Sequence, residues 1–416
     1  MENLQTKSLI KYLEKQEQIP FEVEVIGSVK RIDLAVVIPS YYEQELELAL
    51  ESLIKSASNF SGNTAIVVVL NSRETSSPSV GVLHKRQWEE LKKVALPSTM
   101  ELHVLLVSAM PSKHGGVGLA RKTGLDYILA HCITQTPMPI LINFDADSLV
   151  DSNYLSCISE HFSLEHPNSP AASIYFEHPL DDLNPNEKER IVAYELHLRL
   201  YRQMIKSTGH PFAFHTVGSS MACTAEAYIK QGGMNKRKAG EDFYFLNKLM
   251  MLGKFTEING TRVLPSARES DRVPFGTGRA MLEMAADNNL VSTYSPKCFS
   301  DLKELFGQLE EIYGGGAVLN PVLSTFMVES GYGAKMEKVR LNCPVFEVFE
   351  KRFFELFDLF AVMKFIHFMR DHYFQNEPLT TVFREMFPES PETSLENQLM
   401  FMRKLERNYP QNGSLV

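Results

Sequence analysis

Long apolar segments are missing from this sequence. Nowhere in the 416 residues is there a charge-free apolar run of about 18 residues, the length that crosses a bilayer. Residues 1–7 also lack the apolar core of a signal peptide. We therefore predict a cytoplasmic protein without a transmembrane segment.

Cysteine and clustered positive charge are also scarce. The five cysteines are far apart and show no C-x-x-C spacing, so neither a disulfide framework nor a cysteine zinc site is predicted. Lysine and arginine total 42 against 51 aspartates and glutamates, the formal net charge is −9, and no basic run dominates. Because a nucleic-acid surface needs a clustered positive patch, we expect no nucleic-acid partner.

Four continuous apolar runs occupy the first third of the chain, with helix-type patterns between them. The runs cover residues 34–40, 64–70, 101–107 and 140–144. Such runs are typical of strands buried on both faces of a parallel sheet. Strands that alternate with helices predict a three-layer α/β/α fold with a mostly parallel sheet. Ligands of such sheets bind at the edge where the strands reach their carboxyl ends.

Two carboxylates follow the fourth run, at Asp145 and Asp147. Residues two apart on a strand point the same way, so both can face one ligand. Two hard oxygen ligands with open positions suit Mg²⁺ or Mn²⁺ on a diphosphate. The alternative is a polar turn that caps a helix beginning near residues 151–153.

Other polar groups fall at the same predicted edge. Polar residues lie at or just after the ends of the first two strands. Arg121 lies one turn into a helix that follows the Gly-rich residues 113–118, and the free N–H groups at the start of a helix favour phosphate. A flexible surface loop is the alternative for that Gly-rich segment. A nucleotide would lie at this edge of the sheet. The candidates for binding it are Pro39, Ser40, Tyr41, Glu43, Asn71 and Arg121.

Two further candidate groups follow in the middle of the chain. Glu241 and Asp242 lie in the first turn of a predicted helix, where either a general base or a helix-capping role is compatible with the pattern. Arg268, Arg272 and Arg279 flank a Phe-Gly-Thr-Gly turn. These guanidinium groups suit a diphosphate or an anionic acceptor, or they pair with the acidic excess of the protein.

The C-terminal third is predicted to be helical, with a long Phe-rich element at about residues 345–374. This element is too regularly charged to span a bilayer. We expect a core helix that packs against the catalytic domain, and the alternatives are a homodimer contact or contact with the inner face of a membrane. The predicted domains are an N-terminal helix and lead-in, 1–30, a catalytic domain, 31–280, and a mainly helical region, 281–416.

Four of these motifs together resemble the GT-A-fold glycosyltransferases, specifically family 2. Residues 36–43 resemble the opening strand of that family, and residues 119–125 resemble its A-R-N-x-G-L helix start. Residues 144–148 resemble its D-x-D motif, and residues 240–243 its E-D base motif. The motifs occur in the order found in the family, and their joint occurrence is more specific than any one of them.

The sequence departs from the family pattern at three places. Asn71 follows the second strand where the family commonly has acidic residues, and Lys122 replaces a common asparagine. The Q-x-x-R-W motif is absent after Asp271, and the arginine-rich segment lies in that region instead.

The resemblance implies a metal-dependent, inverting transfer of a sugar from a nucleoside diphosphate, of UDP or GDP type, to an acceptor hydroxyl. It implies that Asp147, helped by Asp145, holds Mn²⁺ or Mg²⁺, and that Asp145 also belongs to the donor site with Arg272 and Arg279. Asp242 would be the base, with Glu241 or His215 as alternatives. The acceptor would be a glycan, a lipid-linked molecule or a small molecule. Two other functions stay open, a sugar-phosphate nucleotidyltransferase and a non-catalytic nucleotide-sugar-binding relative.

Overall fold

The structure is a computed structural model that describes residues 4–17, 19–272, 276–286 and 291–408. The chain forms two compact units. The first contains the described residues of Met1–Pro179, Thr216–Arg279 and Glu406–Ser414, and the second those of Leu180–His215 and Ala280–Leu405. Residues 180–215, which lie inside the predicted catalytic domain 31–280, thus belong to the second unit.

Nine strands among the described residues form one sheet in the first unit. They are β1 (Glu22–Ile26), β2 (Leu34–Ser40), β3 (Thr64–Arg73), β4 (Met100–Met110), β5 (Ile140–Asn143), β6 (Leu149–Val150), β7 (Ala171–Phe176), β8 (Met221–Thr224) and β9 (Thr256–Leu264). Their order across the sheet is β1-β4-β3-β2-β5-β8-β7-β9-β6. Six strands run in one direction, and β1, β6 and β8 run in the other. A mixed α/β fold with a mostly parallel sheet is therefore confirmed.

The helices follow the strands in the first unit and dominate the second. They are α1 (Leu4–Leu13), α2 (Leu46–Ser56), α3 (Pro78–Leu91), α4 (Val117–His131), α5 (Tyr154–Glu160), α6 (Pro185–Ser207), α7 (Ala225–Lys230), α8 (Glu241–Met250), α9 (Thr277–Ala286), α10 (Lys297–Gly307), α11 (Leu309–Gly314), α12 (Pro321–Glu329), α13 (Tyr332–Leu341), α14 (Phe346–Leu356), α15 (Leu359–His372), α16 (Leu379–Met386) and α17 (Leu395–Arg407). A 3₁₀ turn, Ala57–Asn59, and a π-helical turn, His161–Glu165, follow α2 and α5.

The central strands form where the sequence predicts them, because their apolar runs are buried on both faces. All seven residues of β2 are buried, and β2 pairs with β3 in parallel from Leu34 opposite Thr64 to Ser40 opposite Leu70. Helix α4 packs closely on this pair, since a Cβ at Gly124 would lie only 2.5 Å from Val37 Cγ1. A larger residue at position 124 would push the helix away from the sheet.

The order of the central strands creates a switch point. The chain adds β3 and β4 on one side of β2 and then returns to place β5 on the other side. In open α/β sheets ligands bind in the crevice that opens at the carboxyl ends of the two strands where the order reverses. In this sheet those ends are Ser40 of β2 and Asn143 of β5.

The described part of the second unit is helical apart from a short antiparallel pair, β10 (Ser292–Thr293) with β11 (Glu377–Pro378). Helix α6 begins at Asn184, whose side chain accepts hydrogen bonds from the N–H groups of Asn186 and Glu187, at 3.1 and 3.0 Å. Halfway along α6, the buried carboxylate of Glu195 accepts hydrogen bonds from Arg199 of the same helix and from Arg403 of α17. A helical C-terminal region is thus confirmed.

The Phe-rich element is two helices, so the prediction of one long helix over 345–374 was wrong. The break falls between α14 and α15, where Asp358 accepts a hydrogen bond from the N–H of Ala361 at 2.9 Å and starts a new helix. Phe353 and Phe357 are buried and stack with ring centroids 5.8 Å apart. In the described ranges, no helix has the length and apolarity needed to cross a membrane.

Candidate active site

The two aspartates lie in a tight turn directly after β5. The N–H of Phe144 donates to the carbonyl of Val37 at 3.0 Å, and the N–H of Ser148 donates to the carbonyl of Asp145 at 3.1 Å. The next helix, α5, has Asn153 at its capping position, well beyond Asp147. The aspartates therefore form a turn, as the alternative interpretation held, but they do not cap α5.

Asp147 faces a pair of arginines that also bind Glu43. The buried carboxylate of Glu43 accepts hydrogen bonds from Arg268 and from Arg272, the latter at 3.1 Å. Asp147 Oδ2 lies 3.4 Å from Arg268 Nη2 and 3.6 Å from Arg272 Nη2. The arginines thus pair with acidic groups in this conformation. Their predicted contact with a diphosphate stays a prediction.

The electrostatics of these carboxylates differ. Burial alone would raise the pKa of Glu43, but the hydrogen bonds from Arg268 and from the N–H of Glu45 hold it below its usual value. Burial, the largest cause, and the charges of Asp145 and Glu43 together raise the pKa of Asp147 to about 6, because the two arginines oppose them only in part. Asp145 and Glu43 are thus near enough for their charges to act on Asp147, but in this conformation the three carboxylates do not bring one oxygen each within 4.8 Å of the others.

Arg121 contacts the aspartate turn, the backbone at Gly218 and the start of α8. Its guanidinium is buried, and its Nη2 and Nη1 donate to Asp145 Oδ1 and to the carbonyl of Gly218, both at 2.5 Å. Its Nε lies 3.1 Å from Glu241 Oε1. In this conformation Arg121 holds acidic side chains in position, and the sequence-based expectation that it contacts phosphate stays a prediction.

Glu241 and Asp242 begin α8 after Gly240, which has a left-handed φ of 70°. Burial, the largest cause, and the nearby charge of Asp242 together raise the pKa of Glu241 to about 8, and the charge of Arg121 opposes them only in part. Burial also raises the pKa of Asp242. Asp242 Oδ1 accepts a hydrogen bond from the N–H of Phe243 at 2.7 Å, so the helix-capping alternative has support alongside the general-base hypothesis.

Gly218 is a site residue that was not predicted from the sequence. A Cβ at this position would lie 2.8 Å from Arg121 Nη2 and 3.0 Å from Asp242 Oδ2. The backbone therefore approaches both side chains as closely as only glycine allows. Gly218 and Arg121 are 97 positions apart in the chain, so no local sequence pattern indicates their contact.

Several buried polar groups end the strands at this edge. Ser40 is the last residue of β2, and Asn71, predicted to lie in a loop, belongs to β3. Asn143, the last residue of β5, was not predicted as a site residue, although it is adjacent to the aspartate turn. Within the described ranges, Ser40 Oγ, Asn71 Oδ1 and both polar side-chain atoms of Asn143 are buried and have no hydrogen-bond partner. Such groups mark a place where a ligand or water completes the bonding.

The remaining predicted residues lie as follows. Pro39 is inside β2, and the carbonyl of Tyr41 accepts a hydrogen bond from Arg272 Nη1 at 3.2 Å. Arg279 is the third residue of α9 and is half-buried. His215 belongs to the second unit. Lys122 donates to Tyr12 Oη at 2.8 Å, so it fastens α4 to α1 and does not reach the aspartate turn.

The start of α4 is covered by protein. A Cβ at Gly116 would lie 2.6 Å from Lys238 Cα, and one at Gly118 would lie 2.5 Å from the carbonyl oxygen of Asn235. The glycines of residues 113–118 thus permit a close approach of the backbone between residues 235 and 238. The expected phosphate contact at this helix start stays a prediction.

Comparison with known proteins adds little to this geometry. No protein-family model matches the chain, and no curated protein matches it. One similar solved structure is TarS 1-349 from S. aureus in complex with UDP, with a TM-score of 0.37 and 13% identity over 74% of this chain and 78% of that chain. Another is the mannosyltransferase PcManGT from Pyrobaculum calidifontis in complex with GDP-Man and Mn²⁺, with a TM-score of 0.33 and 12% identity over 98% of this chain and 94% of that chain. Similarity at this level establishes neither a shared fold nor a shared function.

Proposed function

We propose that this chain is a metal-dependent, inverting glycosyltransferase with a GT-A fold, related to family 2. It would move a sugar from a nucleoside diphosphate of UDP or GDP type to an acceptor hydroxyl. The observation that carries the proposal is the position of Asp145 and Asp147 at the switch point of the sheet, between two arginines and the Arg121 cluster. Together, these groups offer oxygen ligands for a cation, positive groups for a diphosphate, and a carboxylate for proton transfer.

Asp147, helped by Asp145, would hold Mn²⁺ or Mg²⁺, because carboxylate oxygens are the ligands that hard cations prefer. When bound, the cation would neutralise charge that grows on the departing diphosphate. Arg272 and Arg268 would add charge-assisted hydrogen bonds to the phosphate oxygens. Both arginines lie beside Asp147 and are partly exposed, so a ligand at the aspartates would be within their reach.

Asp242 is the proposed base. Three carboxylates, Asp145, Glu241 and Asp242, surround the single guanidinium of Arg121, and burial raises the pKa of both Glu241 and Asp242. In this proposal the cluster retains one proton, and Glu241 holds it. Asp242 would then take the proton of the acceptor hydroxyl as its oxygen bonds to the sugar carbon. The bond from that carbon to the phosphate oxygen breaks on the opposite face, which inverts the configuration.

The proposal is tested by turnover of Asp242→Asn. Release of nucleoside diphosphate would be measured with a panel of UDP- and GDP-sugars in the presence of Mn²⁺, with water or a simple sugar as the acceptor. Loss of a general base should lower the rate by about 10²–10⁴-fold and leave donor affinity intact. Asp371→Asn, at an exposed position of the second unit, is the matched control. An Asp242→Asn protein that melts early but turns over at the parental rate would mean that Asp242 only caps α8.

A further inference from the structure

A second cluster of metal-ligating side chains lies at the other end of β4. Glu101 and His103 are near the start of β4, whereas the candidate active site lies at the carboxyl edge of the parallel strands. Being two residues apart on a strand, they point to the same face. His131, the last residue of α4, meets them there. One ligand atom from each residue lies within 4.8 Å of the others.

The spacing of these atoms is close to that of a coordination shell. Glu101 Oε1 lies 2.8 Å from His103 Nε2 and 3.7 Å from His131 Nε2. Ligands at about 2.0–2.1 Å from a tetrahedral metal are roughly 3.3 Å from one another. The two observed distances lie on either side of that value, so small side-chain rotations would complete the geometry.

The other atoms of the two buried ligands are already held by the protein. Glu101 Oε2 accepts a hydrogen bond from the N–H of Val29 at 3.0 Å, and His103 Nδ1 lies 2.8 Å from the hydroxyl of Tyr127. Outer partners of this type orient metal ligands and fix the histidine tautomer. Glu101 Oε1 and His103 Nε2 form a hydrogen bond with each other at 2.8 Å, and the ring of His131 lies edge-to-face with that of His103 at a centroid distance of 4.8 Å.

The backbone is shaped to bring Val29 to Glu101. Gly27 has a left-handed φ of 81°, and a Cβ there would lie 2.8 Å from the carbonyl oxygen of Met100. Only glycine allows this conformation and this approach without strain. On the open side, the side chain of His131 is 44% exposed, so an ion can enter from solvent.

We propose that Glu101, His103 and His131 bind a divalent cation of the zinc class. Two imidazoles and one carboxylate, with a fourth position open to water, form a ligand set that Zn²⁺ accepts, whereas Mg²⁺ and Mn²⁺ prefer all-oxygen sites. The site is independent of the proposed function at Asp145 and Asp147. The ion would join the start of β4 to the end of α4 and stabilise the folded state.

The test is a calorimetric titration with Zn²⁺ of the full chain, without a tag and after treatment with chelator. Mg²⁺ is present in excess to occupy oxygen-only sites. Co²⁺ in place of Zn²⁺ gives a visible absorption band that reports low coordination number. The expected result is one ion per chain. His131→Ala should weaken Zn²⁺ binding by at least about 100-fold, and Tyr127→Phe by about 10–100-fold, because it removes an outer partner of His103.

Two controls separate this site from others. His372→Ala removes another histidine that ends a helix and is exposed, at the end of α15, and should leave Zn²⁺ affinity unchanged. Asp147→Asn should also leave it unchanged. The inference is overturned if the parent binds no Zn²⁺, if His131→Ala binds it as tightly as the parent, or if Asp147→Asn abolishes the binding. Because His131 is exposed, its replacement should not prevent folding.

Discussion

Glu241 is predicted to be a buried carboxylic acid that keeps its proton at neutral pH. It shares Arg121 with Asp145 and Asp242, and one guanidinium does not neutralise three carboxylates. Burial, the main cause, raises the pKa of Glu241 from 4.5 to about 8. Glu241→Gln replaces this neutral acid with a neutral amide of similar shape. We therefore expect the variant to fold at pH 7 with nearly the parental stability.

The raised pKa also fixes the sign of the pH dependence. Between pH 4.5 and about 8 the folded state binds a proton at Glu241 that the unfolded state has released. The stabilising contribution of this proton is complete below the unfolded pKa and is lost as the pH rises through the folded pKa. One pKa unit corresponds to about 1.4 kcal/mol, so the group should lower the free energy of unfolding by about 1 kcal/mol between about pH 7 and pH 9.

The measurement is urea unfolding of the parent and of Glu241→Gln at both pH values. The parent should lose about 1 kcal/mol more than the variant over this range. Glu226→Gln, at an exposed glutamate in the first turn of α7, is the matched control and should follow the parent. If Glu241→Gln instead loses about 3–5 kcal/mol at neutral pH, Glu241 is ionised and forms a buried ion pair with Arg121, and the reasoning is refuted.

Three further predictions concern single side chains. Asp147→Asn should keep the fold and lose the Mn²⁺-dependent part of the stabilisation by nucleoside diphosphate; an unchanged metal dependence in thermal unfolding would place the cation elsewhere. Arg272→Ala and Arg279→Ala should weaken nucleoside diphosphate binding by about tenfold or more and nucleoside binding less, and equal weakening in calorimetry would assign them to structure. Gly218→Ala should cost about 1–3 kcal/mol in urea unfolding, because its methyl group would lie 2.8 Å from Arg121 Nη2, and unchanged stability would mean that the cluster adapts freely.

The central sheet could be predicted because its strands are buried on both faces. A continuous apolar run such as that of β2 has few other interpretations. The edge strand β1 was missed, since Glu22 and Glu24 alternate with half-exposed or exposed apolar residues and the run is short. The break between α14 and α15 was also missed. It depends on Asp358, one acidic residue in a segment where acidic residues recur without ending the helix.

The residues of the candidate site could be predicted from their local patterns, but their contacts could not. Asp145 and Asp147 were found because they come directly after β5. Glu43, Arg121, Arg268 and Arg272 were also candidates, but their pairing was not predicted, since Arg268 and Glu43, for example, are 225 positions apart and no periodic pattern links them. The sequence left two alternatives for the arginines, phosphate binding or pairing with acids. The choice between them depends on tertiary contacts, which the sequence pattern does not contain.

The proposed function requires that Asp145 and Asp147 support metal-dependent binding of a nucleoside-diphosphate sugar. The most direct measurement is thermal unfolding of the parent protein with UDP-, GDP- and dTDP-sugars, each with Mn²⁺ and with chelator. A donor that binds the folded state at about 100 times its Kd should stabilise it by about 2.7 kcal/mol. We expect this increase for at least one donor, with Mn²⁺ present and not with chelator, if the proposed function is correct. It is contradicted if no donor raises the melting temperature, or if the increase is the same in chelator.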